Sequence, residues 1–96
     1  MELIEIMQEC LSKRQIQMED LQKQIQQLNA EYEKLDFEED MYFHLKENSS
    51  HYRDVYTQKQ EESLKKIEEV ETKKQEIQNE IKILQREIDY ISNRLK

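Results

Sequence analysis

Glycine, proline and tryptophan are absent from this chain of 96 residues, and cysteine occurs once. Each absence excludes something. Without glycine, tight hairpins and barrel corners lose the residue that tolerates positive φ. Glycine-built phosphate loops of the Walker or Rossmann kind are excluded with them. Without proline the chain has no strong helix breaker. β-Sandwiches, barrels and βαβ folds are set aside, and an all-α chain remains. Cys10 has no partner for an intrachain disulfide, and with His44 and His51 far along the chain it makes no metal-ligand set. No metal or cofactor is expected, and Cys10 reads as a small apolar contact residue. No run approaches 18 consecutive apolar residues, so no membrane insertion is expected.

Charge is plentiful and unevenly placed. Fifteen Lys and Arg stand against 22 Asp and Glu, a net of −7. That balance argues against nucleic acid as a ligand and against an anionic membrane surface. Residues 1–48 hold 5 basic and 12 acidic side chains, whereas residues 49–96 hold 10 of each. The first half is suited to a basic partner surface, although a solvated helix face looks the same. The opening residues carry Glu2 and Glu5 and no basic residue, which does not fit a Sec-type signal peptide. The expected location is the cytoplasm, with export alongside a partner, without a Sec signal, as the other route.

Hydrophobic periodicity separates this composition from disorder. Alternating steps of three and four from Ile4 reach Met7, Leu11, Arg14, Met18, Leu21, Ile25, Leu28, Tyr32, Leu35, Glu39 and Tyr42, and ten of the twelve are apolar or aromatic. The same steps from Tyr56 reach Gln60, Ser63, Ile67, Val70, Lys74, Ile77, Ile81, Leu84, Ile88, Ile91 and Leu95, of which nine of twelve fit. These are the a and d sites of a heptad seam. Between them lie Glu, Lys and Gln, all good helix formers. Acid precedes base by four residues at Glu9–Lys13, Glu19–Lys23, Glu61–Lys65, Glu62–Lys66 and Glu69–Lys73.

The stripe fails in the middle, where Lys46, Ser49 and Arg53 fall on seam positions around Asn48-Ser49-Ser50-His51. Ser49 or Ser50 can cap a following helix through an N2 or N3 amide, with Asp54 favourable in its first turn. His44 and Lys46 suit the end of a preceding one. The simplest architecture is a single domain over residues 1–96, an antiparallel two-helix hairpin of coiled-coil type. Helix 1 is expected at about 2–46, the turn at about 47–51 and helix 2 at about 52–96, each helix roughly 65 Å long. The alternative is one long helix in a parallel dimeric coiled coil. The heptad phase supports it, because Ile4 and Leu95 differ by 91, a multiple of seven. In the hairpin, a layers should face d layers. That places Ile25 near Val70 or near Ile77, so that facing numbers add to 95 or 102.

Two surfaces stand out as candidate partner sites. Leu3, Ile6, Cys10, Ile83 and Tyr90 lie off the seam and would gather where the termini meet. A third or fourth helix could cover them and complete a larger bundle, and a hydrophobic plug within the hairpin would use them equally well. Around the turn sit Phe37, Met41, Tyr42, Phe43, Tyr52 and Tyr56, with Asp36-Phe37-Glu38-Glu39-Asp40 as an acidic collar. They form either a contact surface or the filling of a widening loop. Residues 41, 45, 52 and 55 form a second stripe rotated away from the seam. Arg14, Lys74, Glu39 and Gln60 interrupt the seam, either specifying register and partner or reaching out to water. No nucleophile–base pairing and no water-excluding pocket is apparent, so catalysis is not expected.

An acidic, all-helical hairpin of this length without a Sec signal resembles the small proteins of Gram-positive type VII secretion. These include the WXG-type proteins and the helical partners that accompany LXG-domain toxins. The family's Trp-X-Gly turn is absent, and Asn48-Ser49-Ser50 stands in its place. Tyr32-Glu33-Lys34-Leu35-Asp36 matches the Tyr-x-x-x-Asp/Glu export signal, making Tyr32 and Asp36 its candidate residues, and Phe43-His44-Leu45-Lys46-Glu47 is an aromatic version. The resemblance implies a helical module that binds a toxin's helical N-terminal domain as a targeting factor or chaperone. Residue patterning on its own implies a non-enzymatic interaction module that binds a helical partner, itself, or both. The structural alternative is a coiled-coil adaptor or spacer.

Overall fold

A computed structural model describes residues 2–96 of the protein as two long helices, α1 (Leu3–Asn48) and α2 (Arg53–Leu95). The chain reverses over residues 49–52 and forms a helical hairpin. The continuous rod is thereby excluded as the fold: α1 stops at Asn48, and Tyr42 of α1 stacks on Tyr56 of α2 with ring centroids 6.3 Å apart.

A turn without glycine is possible because it needs no left-handed residue, and none has positive φ among the described residues. The Asn48 side-chain amide donates to the His44 carbonyl at 3.0 Å, satisfying one of the carbonyls that a helix end leaves open. That bond carries α1 past the expected end near residue 46. Ser49 Oγ accepts the Tyr52 amide at 3.4 Å, and the Tyr52 carbonyl accepts the Tyr56 amide at 3.1 Å. Ser49 thus holds the amide of the residue just before α2, where an N2 or N3 amide is the expected donor. Asp54 lies in the first turn of α2 and Lys46 in the last turn of α1, both favourable to the helix dipoles.

The chain divides into two compact units. The turn unit is Gln27–Lys74, and the terminal unit joins Met1–Gln26 to Gln75–Lys96. In the turn unit the buried residues are Leu28, Leu35, Ser63 and Val70. Tyr42, Tyr56, Gln60 and Ile67 flank them, half-buried. In the terminal unit Met18, Leu21, Ile77 and Leu84 are buried, with Leu11, Arg14, Ile81 and Ile88 half-buried beside them. The antiparallel sense of this unit is direct. Ile6 and Cys10 share a groove with Tyr90 and Ile91, whereas Lys13 and Gln17, further along α1, share one with Glu80 and Ile83, further back on α2.

The facing register differs from expectation. Tyr42 meets Tyr56, a d site opposite a d site, instead of residue 53 or 60. Glu39 meets Gln60, an a site opposite an a site, and Leu28 shares a groove with Val70, again d with d. Facing numbers in the turn unit therefore add to 98 or 99, between the two expected values, and in the terminal unit the Arg14–Glu87 pair adds to 101. The d sites are the more deeply buried set, and of the a sites Met18 alone is buried.

Of the five acid–base pairs read along the helices, Glu9–Lys13 closes at 3.6 Å among the described residues. Exposed pairs of this kind contribute little, so open ones cost little. Ser63, with 4% of its surface exposed, is the buried polar residue of the seam among the described residues. Ser63→Ala removes a buried hydroxyl and a weaker helix former. Stability should rise by about 0.5–1 kcal/mol, read as a higher urea midpoint at unchanged slope.

Candidate functional site

Around the turn, aromatic side chains divide into two sets. Tyr42 and Tyr56 are half-buried, and Tyr52 packs edge-on against Tyr56 at 6.5 Å. Lys59 Nζ lies 5.7 Å from the Tyr42 ring centre, over a face that attracts cations. Tyr42 and Tyr56 fill the space beside the turn, and Met41 is half-buried as well. Outside them, Phe37 is 68% exposed, Tyr52 55% and Phe43 41%. Phe43 touches His44 edge-on at 5.6 Å and carries Lys46 Nζ 5.4 Å from its centre. His51 packs edge-on against Tyr52 at 4.8 Å, and His44 Nε2 lies 3.5 Å from Asp40 Oδ1. Tyr42 and Tyr56 are loop filling, whereas Phe37, Phe43 and Tyr52 present ring surface to solvent. Leu45 and Val55 of the second stripe are exposed as well.

Beneath this surface runs a polar chain that the residue pattern did not reveal. Lys46 Nζ donates to Gln60 Oε1 at 3.2 Å, and Gln60 Nε2 donates to Glu39 Oε1 at 2.7 Å. Gln60 therefore uses both ends of its amide between a cation and a carboxylate. The seam positions of Glu39, Lys46 and Gln60 were the hint of it, and Lys46 enters from the last turn of α1.

At the terminal unit, Ile6, Met7, Cys10, Tyr90 and Ile91 line an open groove of about 430 Å³, with Arg14, Arg86 and Glu87 at its margin. Arg14 Nε donates to Glu87 Oε1 at 3.1 Å, and Arg14 Nη1 donates to the Cys10 carbonyl at 3.2 Å. A seam arginine is thus spent on a cross-helix ion pair and on a carbonyl of its own helix. Arg14 and Glu87 also border a second groove, lined by Lys13, Gln17, Glu80, Ile83 and Leu84. Ile83 consequently belongs to a different groove from Ile6, Cys10 and Tyr90. Leu3 is exposed and lines neither.

Tyr32 and Asp36 both lie within α1 in the turn unit, and both are exposed. Among the described residues no cluster of three or more His, Cys, Asp or Glu is placed to hold a metal ion. No described helix is long and apolar enough to cross a membrane. Comparison with family models, with curated proteins and with solved structures finds no match to this chain.

Proposed function

We propose that the protein is a non-enzymatic interaction module that binds a helical partner as a targeting factor or chaperone. The observation that carries this reading is the ring surface around the turn that the hairpin leaves uncovered. Packing Tyr42 against Tyr56 already fills the loop, yet Phe37 and Tyr52 keep more than half of their surface in water and Phe43 about two fifths. Exposed aromatic surface of this kind is enriched where proteins meet. The collar of Asp36, Glu38, Glu39 and Asp40 favours a partner with basic residues flanking its apolar face. The finer reading, in which the partner is the helical N-terminal domain of a type VII LXG toxin, is supported by the sequence resemblance and by the exposed Tyr32 and Asp36.

Site-specific photocrosslinking in the producing cell tests the reading. A benzophenone side chain at position 43 or 52 should trap a discrete protein, the same one from both sites. The same probe at exposed Glu68 should give only background. Equal patterns at all three positions would remove the turn surface as a binding site. If the trapped species is an LXG toxin, the finer reading stands; any other helical protein leaves only the coarser one.

A further inference from the structure

We propose that the terminal groove seats the terminal unit of a second copy of this chain, in a two-fold contact between hairpins. This contact is separate from the surface around the turn and does not depend on what binds there.

The terminal unit carries more apolar surface than one pair of helices covers. Ile4 occupies an a site and yet is 56% exposed, and Leu3, Ile6 and Tyr90 of the same unit are exposed as well. The groove is walled by Ile6, Met7, Cys10, Tyr90 and Ile91, and two of its three charged margins, Arg14 and Glu87, are bonded to each other. Arg86 is the margin charge left over. The groove therefore suits an apolar side chain that arrives with a carboxylate next to it.

The start of α1 supplies that combination. Leu3 and Ile4 stand between Glu2 and Glu5, and Glu9 follows one turn later, with no basic residue before Lys13. The end of α2 is its complement: Lys82, Arg86, Arg94 and Lys96 outnumber Glu87 and Asp89, and Glu87 is already committed to Arg14. The patch thus has an acidic apolar edge and a basic edge side by side. A two-fold axis brings each copy's acidic edge to the other's basic edge, so the favourable pairing occurs twice and the contact closes. A basic amphipathic segment would instead set its cations against Arg86.

Sedimentation equilibrium of the full chain, from about 1 to 200 µM, reads the outcome. The expected species has twice the chain mass of 11.9 kDa. Tyr90→Glu places a charge in the groove at a position exposed in a single hairpin. It should keep the helical circular dichroism and raise the dissociation constant by about tenfold or more. Ile16→Glu, at a position equally exposed but outside the groove, should leave that constant within about twofold. Lys82→Glu with Arg86→Glu should weaken association, and adding Glu5→Lys and Glu9→Lys to the same chain should restore it. A monomer throughout the range overturns the proposal. So does a dimer indifferent to Tyr90→Glu, or an assembly larger than two.

Discussion

Leu28→Ala should cost about 2–5 kcal/mol and leave a substantial fraction of the chain unfolded at room temperature. Leu28 is one of the d-site residues buried in the seam, and it shares its groove with Val70 across the hairpin. A two-helix contact has no further layer to collapse into the space left by three missing carbons. The surrounding Glu31, Lys66, Glu69 and Lys73 would bring water to it instead. Small scaffolds seldom have more than about 3–5 kcal/mol to lose. Thermal and urea unfolding followed by circular dichroism should show the loss for Leu28→Ala, and a similar one for Leu21→Ala in the terminal unit. Ile16→Ala, on an exposed face of α1, should move stability by no more than about 0.5 kcal/mol. Equal losses at positions 28 and 16 would mean that the d sites do not form the core.

That contrast depends on knowing which stripe faces inward, and the stripe was legible from the spacing of apolar residues alone. All twelve seam positions of α2 are buried or half-buried, and on α1 only Ile4 and Tyr32 are exposed. A heptad fixes rotation about the helix axis, because it records which side chains share a face. It does not fix how far one helix slides along the other. Layers of a against d were therefore an assumption about slide, and the pairing of Tyr42 with Tyr56 corrects it. The missing information lay in the turn. Residues equidistant from a short reversal must face each other, and a turn at 47–51 is centred on residue 49, from which positions 42 and 56 are each seven away. The observed reversal at 49–52 is centred between residues 50 and 51, one and a half residues later, so the centre of the turn gives the slide only to within about half a heptad.

The two candidate surfaces were legible to different depths. Residue types located both, since aromatics cluster near the turn and off-seam aliphatics near the termini. Which rings are buried could not be read from composition, because Tyr42 and Phe43 are sequence neighbours that point to different fates. Heptad position does distinguish them: Tyr42 and Tyr56 are d sites and pack inward, whereas Phe37, Phe43 and Tyr52 are not seam residues and remain exposed. The separation of Ile83 from Ile6, Cys10 and Tyr90 depended on slide once more. It is Glu87 that comes opposite Arg14, and the resulting ion pair borders both grooves.

Replacing Glu39 and Gln60 together by leucine should stabilise the hairpin by about 1–3 kcal/mol, whereas either single change should gain much less or lose stability. Both residues occupy a sites, face each other, and are half-buried. Apolar side chains there would extend the seam toward the turn without disturbing the Tyr42–Tyr56 stack one step away. The single changes behave differently because Gln60 connects two charges. Gln60→Leu leaves the Glu39 carboxylate and the Lys46 ammonium without the amide that joins them, and Glu39→Leu leaves the Gln60 amide donor facing leucine. A double-mutant cycle from urea unfolding should therefore give a favourable coupling of about 1 kcal/mol or more. Strict additivity would show that Gln60 and Glu39 act independently. The gain in stability should carry a cost in uniqueness. Gln60 and Glu39 bond well only at the slide that the turn permits, whereas leucines tolerate neighbouring slides. Spin labels at exposed Asp36 and Glu62 should report one narrow distance in the natural chain and a broader distribution in the doubly substituted one. A narrow distribution in both would assign the register to the turn alone.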